Sequence, residues 1–259
     1  MKLKREFIEK PWGRTQLPPP FPSSGEQIGE VWFTSPEPLP LLVKYLFTSE
    51  RLSIQVHPND EQARERGVAN GKTECWYILD AEPGATLGLG LVRDVSKDEL
   101  REAALDGSIE QLMNWRPVTA GDFLFVPAGT IHAVGAGISL LEFQQNEGVT
   151  YRLYDYGRPR ELHLDDGVEV SQPTTYPEHL AQQVDPANTR VLVQDPHFSL
   201  VHAADGNEAP RVFAGRRRWV MPLDGVVHSG SDEAGPGECL LLEPDERLDL
   251  SSGRVLIGA

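Results

Sequence analysis

Two cysteines, Cys75 and Cys239, are all that 259 residues contain. That is too few for a disulfide framework, so a reducing compartment, the cytoplasm, is expected. No stretch approaches the roughly 18 consecutive apolar residues of a membrane span. Residues 1–10 alternate charged and apolar side chains and lack the apolar segment of an export signal. Positive charge is scarce as well: 24 Lys and Arg stand against 39 Asp and Glu, for a formal net charge of -15. Nucleic acid and anionic membrane both require a basic surface, so neither is expected as a partner. An anionic small molecule would need a local pocket of Lys and Arg set against the overall field.

Chain punctuation, by contrast, is plentiful. Gly occurs 24 times and Pro 21 times, which suits many turns and short strands. Alternation predicts strands over residues 28–34, 41–47, 51–57, 74–79, 122–127, 139–144 and 149–156. Short helices are predicted over 60–66, capped by Asn59 or Asp60, and over 97–106, behind the capping box that Ser96 opens. A third is predicted over 109–114, behind Ser108. His163 reads as the start of a further strand. Residues 171–190 are polar and proline-marked and read as a linker. Short strands follow at about 198–203, 210–214, 218–222, 238–243 and 254–258. The expectation is an all-β sandwich or barrel with small helical insertions over 1–170, then a second, smaller β unit over 171–259.

Three segments bring metal-binding side chains together. Between Leu52 and His57, alternation puts Leu52, Ile54 and Val56 on one face and Ser53, Gln55 and His57 on the other. Pro58 then ends the ladder. In Gly71-Lys72-Thr73-Glu74-Cys75-Trp76-Tyr77, Glu74 and Trp76 share a face and Cys75 and Tyr77 share the other. From Gly121 to His132 the chain has the form G-x5-P-x-G-x2-H, a turn, a strand and a tight corner that delivers His132. Gln55, His57, Glu74 and His132 together offer oxygen, nitrogen, oxygen and nitrogen donors. Such a set suits Zn²⁺ and also Mn²⁺, Fe²⁺, Co²⁺ or Ni²⁺, with a position open for substrate. Any one of these residues alone is more readily explained as a hydrogen-bonded polar group.

The G-x5-P-x-G-x2-H run resembles the second motif of the cupin family, with Ala136 where that motif ends in Asn. Six segments in order are similar to the type I mannose-6-phosphate isomerases, in particular their short bacterial form. They are KPWG at Lys10, IGEVW at Ile28, LSIQVHPND at Leu52, GKTECWYIL at Gly71, VPAGTIHAVG at Val126 and LLEFQQNEGVTYRLYDYGR at Leu140. The resemblance implies a cupin (jelly-roll) fold and a divalent metal, most often zinc, held by Gln55, His57, Glu74 and His132. It also implies a catalytic arginine at Arg152 and a sugar phosphate as substrate, with interconversion of mannose 6-phosphate and fructose 6-phosphate as the reaction. Gly237 to Pro244, around Cys239, is similar to the second cupin motif without its His, which makes the second unit a degenerate cupin.

An aldose–ketose isomerase must move a proton between C1 and C2 through an enediolate, so it needs a proton shuttle and fixed positive charge. Lys72 and Glu142 are the shuttle candidates; Lys72 could equally be a solvated turn residue, and Glu142 a buried partner of Arg152 or of a ligand. Arg152 could instead pair with Asp155 or Glu142. Lys10, Arg14, Lys44, Arg158 and Arg160 are available for the phosphate, as is the basic run 215–218. Trp12, Trp32, Trp76 and Tyr77 read as core residues or sugar platforms. Rival readings are a sugar-phosphate-binding or regulatory cupin without turnover, and an isomerase or epimerase of another sugar.

Overall fold

Along Leu41–Phe47 and Ile138–Gln145 every residue is buried. Alternation in such strands means that apolar side chains leave both faces, so both faces of their sheet must be covered. A computed structural model, which describes residues 1–22, 25–204, 208–250 and 252–259, shows the cover. The central sheet has seven strands. In spatial order they are Lys4–Arg14, Ile28–Thr34, Leu41–Phe47, Ile138–Gln145, Glu74–Ala81, Asp122–Val126 and Ala181–Gln183. On one face Val43, Tyr45, Cys75, Phe123, Leu141 and Phe143 meet Leu200, Trp219, Met221, Leu241 and Leu256 from the C-terminal half. On the other, Leu46, Trp76, Ile78, Leu124 and Leu140 meet Leu87, Leu89 and Val134 of a second sheet.

The second sheet runs Tyr151–Tyr154, Ile54–Val56, His132–Val134, Thr86–Leu91, Met113–Pro117. The helices Lys97–Asp106, Ile109–Leu112 and Leu164–Val170 cover its outer face, burying Ile54, Val56, Leu100, Ile109, Ile131 and Val168 together. In the C-terminal half a five-stranded sheet closes a small core against a three-stranded one, around Val201, Val220, Val227, Leu242 and Ile257. Facing sheets with helical additions are the all-β, jelly-roll arrangement expected from the sequence. None of the helices described is long and apolar enough to cross a membrane.

Local signals held where a cap or a ladder backs them. Ser96 Oγ accepts the Glu99 N–H and the helix spans Lys97–Asp106, ending at Gly107 with φ 84°. Asn59 and Gln62 form a capping box on Asp60–Glu65. Five expectations change. The 109–114 helix stops at Leu112, because Met113 turns extended and pairs with Leu91 in the sheet; at its start Ser108 makes no side-chain cap. The strand 51–57 shrinks to Ile54–Val56, and Leu52 turns away from Ile54 and Val56 into the core around Trp12. Residues 210–214 are not a strand: Ala209–Arg211 is a turn of 3₁₀ helix, and Phe213 takes φ 51°. His163 precedes the helix Leu164–Val170, not a strand. The stretch 171–190 is tied down: the Tyr176 hydroxyl donates to the Phe125 carbonyl at 2.6 Å, and Ala181–Gln183 pairs with Asp122–Leu124.

Candidate metal centre

Three loop segments are stitched together before any ligand is placed. Gly71 packs so closely on Pro58–Asp60 that a Cβ there would lie 2.5 Å from the Asn59 carbonyl carbon, so only glycine fits. The Lys72 N–H donates to Pro58 O at 3.0 Å, and the Gly71 N–H donates to Asp60 Oδ1 at 2.8 Å. The Pro-x-Gly corner of the third segment closes with Gly129, φ 86°, whose N–H donates to His57 O at 2.8 Å. Across the second sheet Gln55 and His132 are direct antiparallel partners.

The outcome is a buried trio. His57, Glu74 and His132 are each 1% exposed, and their ligand atoms lie within 4.8 Å of one another. Each imidazole Nδ1 faces a backbone carbonyl at 2.9 Å, Val149 O for His57 and Thr130 O for His132. A carbonyl only accepts, so Nδ1 carries the proton and Nε2 presents its lone pair. Both Nε2 atoms point at Glu74, at 3.5 Å and 3.4 Å. The Trp76 ring stands edge-on to His132 at 5.4 Å and restrains it. Gln55 turns its amide nitrogen to His132 Nε2 at 3.2 Å, while its oxygen accepts from Ser53 at 3.1 Å. Three donors therefore face inward as they stand; the fourth would need its amide reversed. Glu74 Oε2 is buried and has no hydrogen bond, although Lys72 Nζ stands 2.7 Å away. Lys72 Nζ stands 3.0 Å from His57 Nε2, so both imidazole lone pairs are held by donors that a cation would displace; with the Glu74 carboxylate they form a donor set that fits one divalent cation.

Burial pushes the His132 pKa down to about 4, and burial with the Lys72 charge holds His57 well below its ordinary value. In the unfolded chain both would titrate near 6.5, so below that pH the unfolded state binds more protons. Stability of chelated protein should therefore fall as pH drops from about 6.5 to about 4, by roughly 3 kcal/mol from His132 alone. Urea unfolding at pH 7 and pH 4.5, wild type beside His132→Gln, measures it. Equal losses in the two proteins would remove His132 as the source.

The remaining candidates fall around one cleft. A cavity of about 430 Å³ and an adjoining one of about 110 Å³ share Lys10, Glu30, Lys44, Lys72, Thr150 and Arg152 in their walls. Gln55, Glu142 and Arg160 line the smaller, His163 the larger. Lys44 and Glu142 are direct partners across the ladder, with Nζ 3.1 Å from Oε1, and Lys72 Nζ is 3.7 Å from the same oxygen. Burial and the Glu74 charge raise the Glu142 pKa despite these two lysines. Burial alone would lower Lys44, but Glu142 and Glu30 outweigh it and keep the ammonium charged. Lys72 is buried, not a solvated turn residue. Arg152 sits opposite Gln55 in the second sheet and, among the described residues, makes no ion pair with a carboxylate. Asp155 is occupied by Arg158 and Arg160 instead, and among the described residues the Arg152 guanidinium donates only to Glu161 O, at 3.5 Å.

Other basic residues lie elsewhere. Arg14 is bound to Thr48 O and Glu82, and Arg158 to Asp155 and Glu50. In the run 215–218, Arg216 lies on the Phe213 ring, Arg217 pairs with Glu243, and Arg218 is buried against Glu246 O, so the run is no phosphate patch. Trp12 and Trp32 face the cleft; Trp76 and Tyr77 are core, as is Cys75, on the opposite face from Glu74. Sequence reasoning passed over Glu30 and Thr150. Period-two alternation in Ile28–Thr34 carried the signal for Glu30, which shares a face with Trp32 while Val31 and Phe33 enter the core.

No family model matches the chain. The mannose-6-phosphate isomerase ManA of Bacillus subtilis (strain 168) is 42% identical over 172 residues, 62% of this chain and 54% of that protein. The putative mannose-6-phosphate isomerase YvyI of the same organism is 34% identical over 240 residues, 75% of this chain and 76% of that protein. The chain spans about half the length of the first curated relatives it matches. Among solved structures, the mannose 6-phosphate isomerase from Bacillus subtilis superposes with a TM-score of 0.80 at 27% identity, covering 100% of this chain and 98% of that one. The cupin-type architecture expected from the sequence is thus shared over the full length.

Proposed function

The chain belongs to the mannose-6-phosphate isomerase family, and from that premise we propose that it interconverts mannose 6-phosphate and fructose 6-phosphate. The observation that carries the reading is the His57–Glu74–His132 trio, set beside a cation-lined cleft in a chain of net charge -15. Against such a field, gathering Lys10, Lys44, Lys72, Arg152 and Arg160 at one cleft is what an anionic sugar requires.

In this reading His57, Glu74 and His132 hold one zinc ion, with Gln55 as the fourth ligand. When bound, zinc supplies Lewis acidity toward the oxygens on C1 and C2 of the open-chain sugar. The chain's own groups do the rest. Glu142, poised by burial between Lys44 and Lys72, takes the proton from one carbon and returns it to the other. Lys72 is the alternative shuttle, from the same wall. Arg152, with no carboxylate to neutralise it among the described residues, directs its fork of donors at the enediolate. Lys10, Lys44 and Arg160 bind the phosphate, and Trp12 and Trp32 shield the sugar from water. We assign this chemistry to residues 1–170. Residues 171–259 buttress the central sheet through the core they share with it.

Fructose 6-phosphate formation from mannose 6-phosphate tests the proposal. Activity should vanish on chelation and return on addition of Zn²⁺. Turnover indifferent to chelation, or none in metal-replete protein, would overturn it.

A further inference from the structure

Glu30 is a carboxylate that the chemistry above leaves without a task, yet it is only 6% exposed and lines both parts of the cleft. A buried carboxylate is costly to desolvate and is retained only where partners hold it. Three groups converge on it. The Trp32 indole N–H donates to Oε2, Lys44 Nζ stands 3.9 Å from the same oxygen, and Lys10 Nζ stands 3.6 Å from Oε1. Lys44 and Lys10 draw its pKa down against the upward push of burial, so the group is ionised. Beyond Lys44 the charges continue to alternate: Glu142 at 3.1 Å, then Lys72 3.7 Å from Glu142, then Glu74 2.7 Å from Lys72. The row runs from the cleft wall to the ligand trio, and Glu30 is its outermost carboxylate.

We propose that Glu30 is a positioning residue of the cleft: it fixes Lys44 and Trp32 on the wall and offsets one of the cations that face the substrate. Its place in turnover rests on the isomerase reading; its effect on the charge of the cleft does not. Without the Glu30 charge, Glu142 is the carboxylate left within 4 Å of Lys44, so the ammonium settles fully on Glu142 and withdraws that group from proton transfer. Trp32 loses the anionic acceptor that holds its ring beside Lys44, 5.9 Å from the ring centre. The cleft also gains one net positive charge. Turnover should fall while an anionic ligand binds more tightly. A merely structural role would weaken both.

Two variants separate charge from position. Glu30→Gln keeps an oxygen for Trp32 and removes the charge. It should bind inorganic phosphate about three- to tenfold more tightly by isothermal titration, with the gain lost in high salt. For mannose 6-phosphate its KM should fall and its kcat should drop by about tenfold or more. Glu30→Asp keeps the charge and draws it back from Trp32 and Lys44, so phosphate affinity should stay near wild type while kcat falls. Phosphate affinity that is unchanged or weaker in Glu30→Gln, or wild-type kcat in Glu30→Asp, would overturn the proposal. If Glu30→Gln does not fold, kcat of Glu30→Asp decides. If wild type does not isomerise the sugar, the functional reading fails, and the phosphate titration still decides what Glu30 does to the cleft.

Discussion

Arg152→Ala is expected to keep its metal and lose turnover by about 10²–10³-fold, the usual cost of removing one preorganised donor to a developing oxyanion. The argument lies in what the guanidinium does not do. Among the described residues it pairs with no carboxylate: Asp155 belongs to Arg158 and Arg160, and Glu142 to Lys44. Its removal therefore orphans no buried charge, and thermal unfolding should move little. Among the described residues the Arg152 side chain makes no hydrogen bond to His57, Glu74 or His132, although its ladder partner is Gln55, so the trio should keep its metal. Arg152→Lys should recover only part of the rate, since an ammonium restores the charge but not the planar fork. Metal content and kcat/KM, measured on the same preparations, check this. Loss of metal in Arg152→Ala would assign the residue to the architecture of the site.

The second large effect should come from His132→Ala. It removes one of the two imidazole lone pairs that face Glu74 and leaves the Gln55 amide without its acceptor at 3.2 Å. Zinc affinity should fall by more than the roughly 10–100-fold that changes to outer-shell partners produce. Isomerase activity should fall with metal occupancy and return at high zinc only in part. Competition titration against a chelator dye measures the affinity. Full occupancy in this variant at stoichiometric zinc would remove His132 from the ligand set. The two variants fail in different ways, one holding metal without rate and the other losing rate through metal, and that contrast separates Arg152 from the ligands.

Much of this was readable along the chain, because short-range rules operate there. Alternation placed Glu74 opposite Cys75, and the structure puts Cys75 in the core shared with the C-terminal half while Glu74 joins the trio. Ser96 and Asn59 marked helix starts because capping is a contact three residues long. Glycine at 71 and 129 signalled backbone close approach or positive φ, and both positions stitch ligand segments together. Where a short-range signal lacked a partner, it misled. Ser108 caps nothing, and Met113 leaves the helix for a sheet partner at Leu91 that no local pattern announces.

Charge was the least legible property. Arg152, Lys44 and Arg218 look alike as letters. One is left without a carboxylate partner among the described residues, one is locked between Glu30 and Glu142, and one is buried against a backbone carbonyl. Which acid meets which base depends on ladder register, as in the Glu142–Lys44 pair, and register belongs to strands that lie far apart in the chain. Side-chain type, strand period and loop chemistry, written into the order of residues, thus set the donor atoms and the faces they leave from. Their convergence on one point, and the pairing of the charges around it, came from the stacking of the sheets, because electrostatic and coordination energies depend on distances that only the packed chain defines.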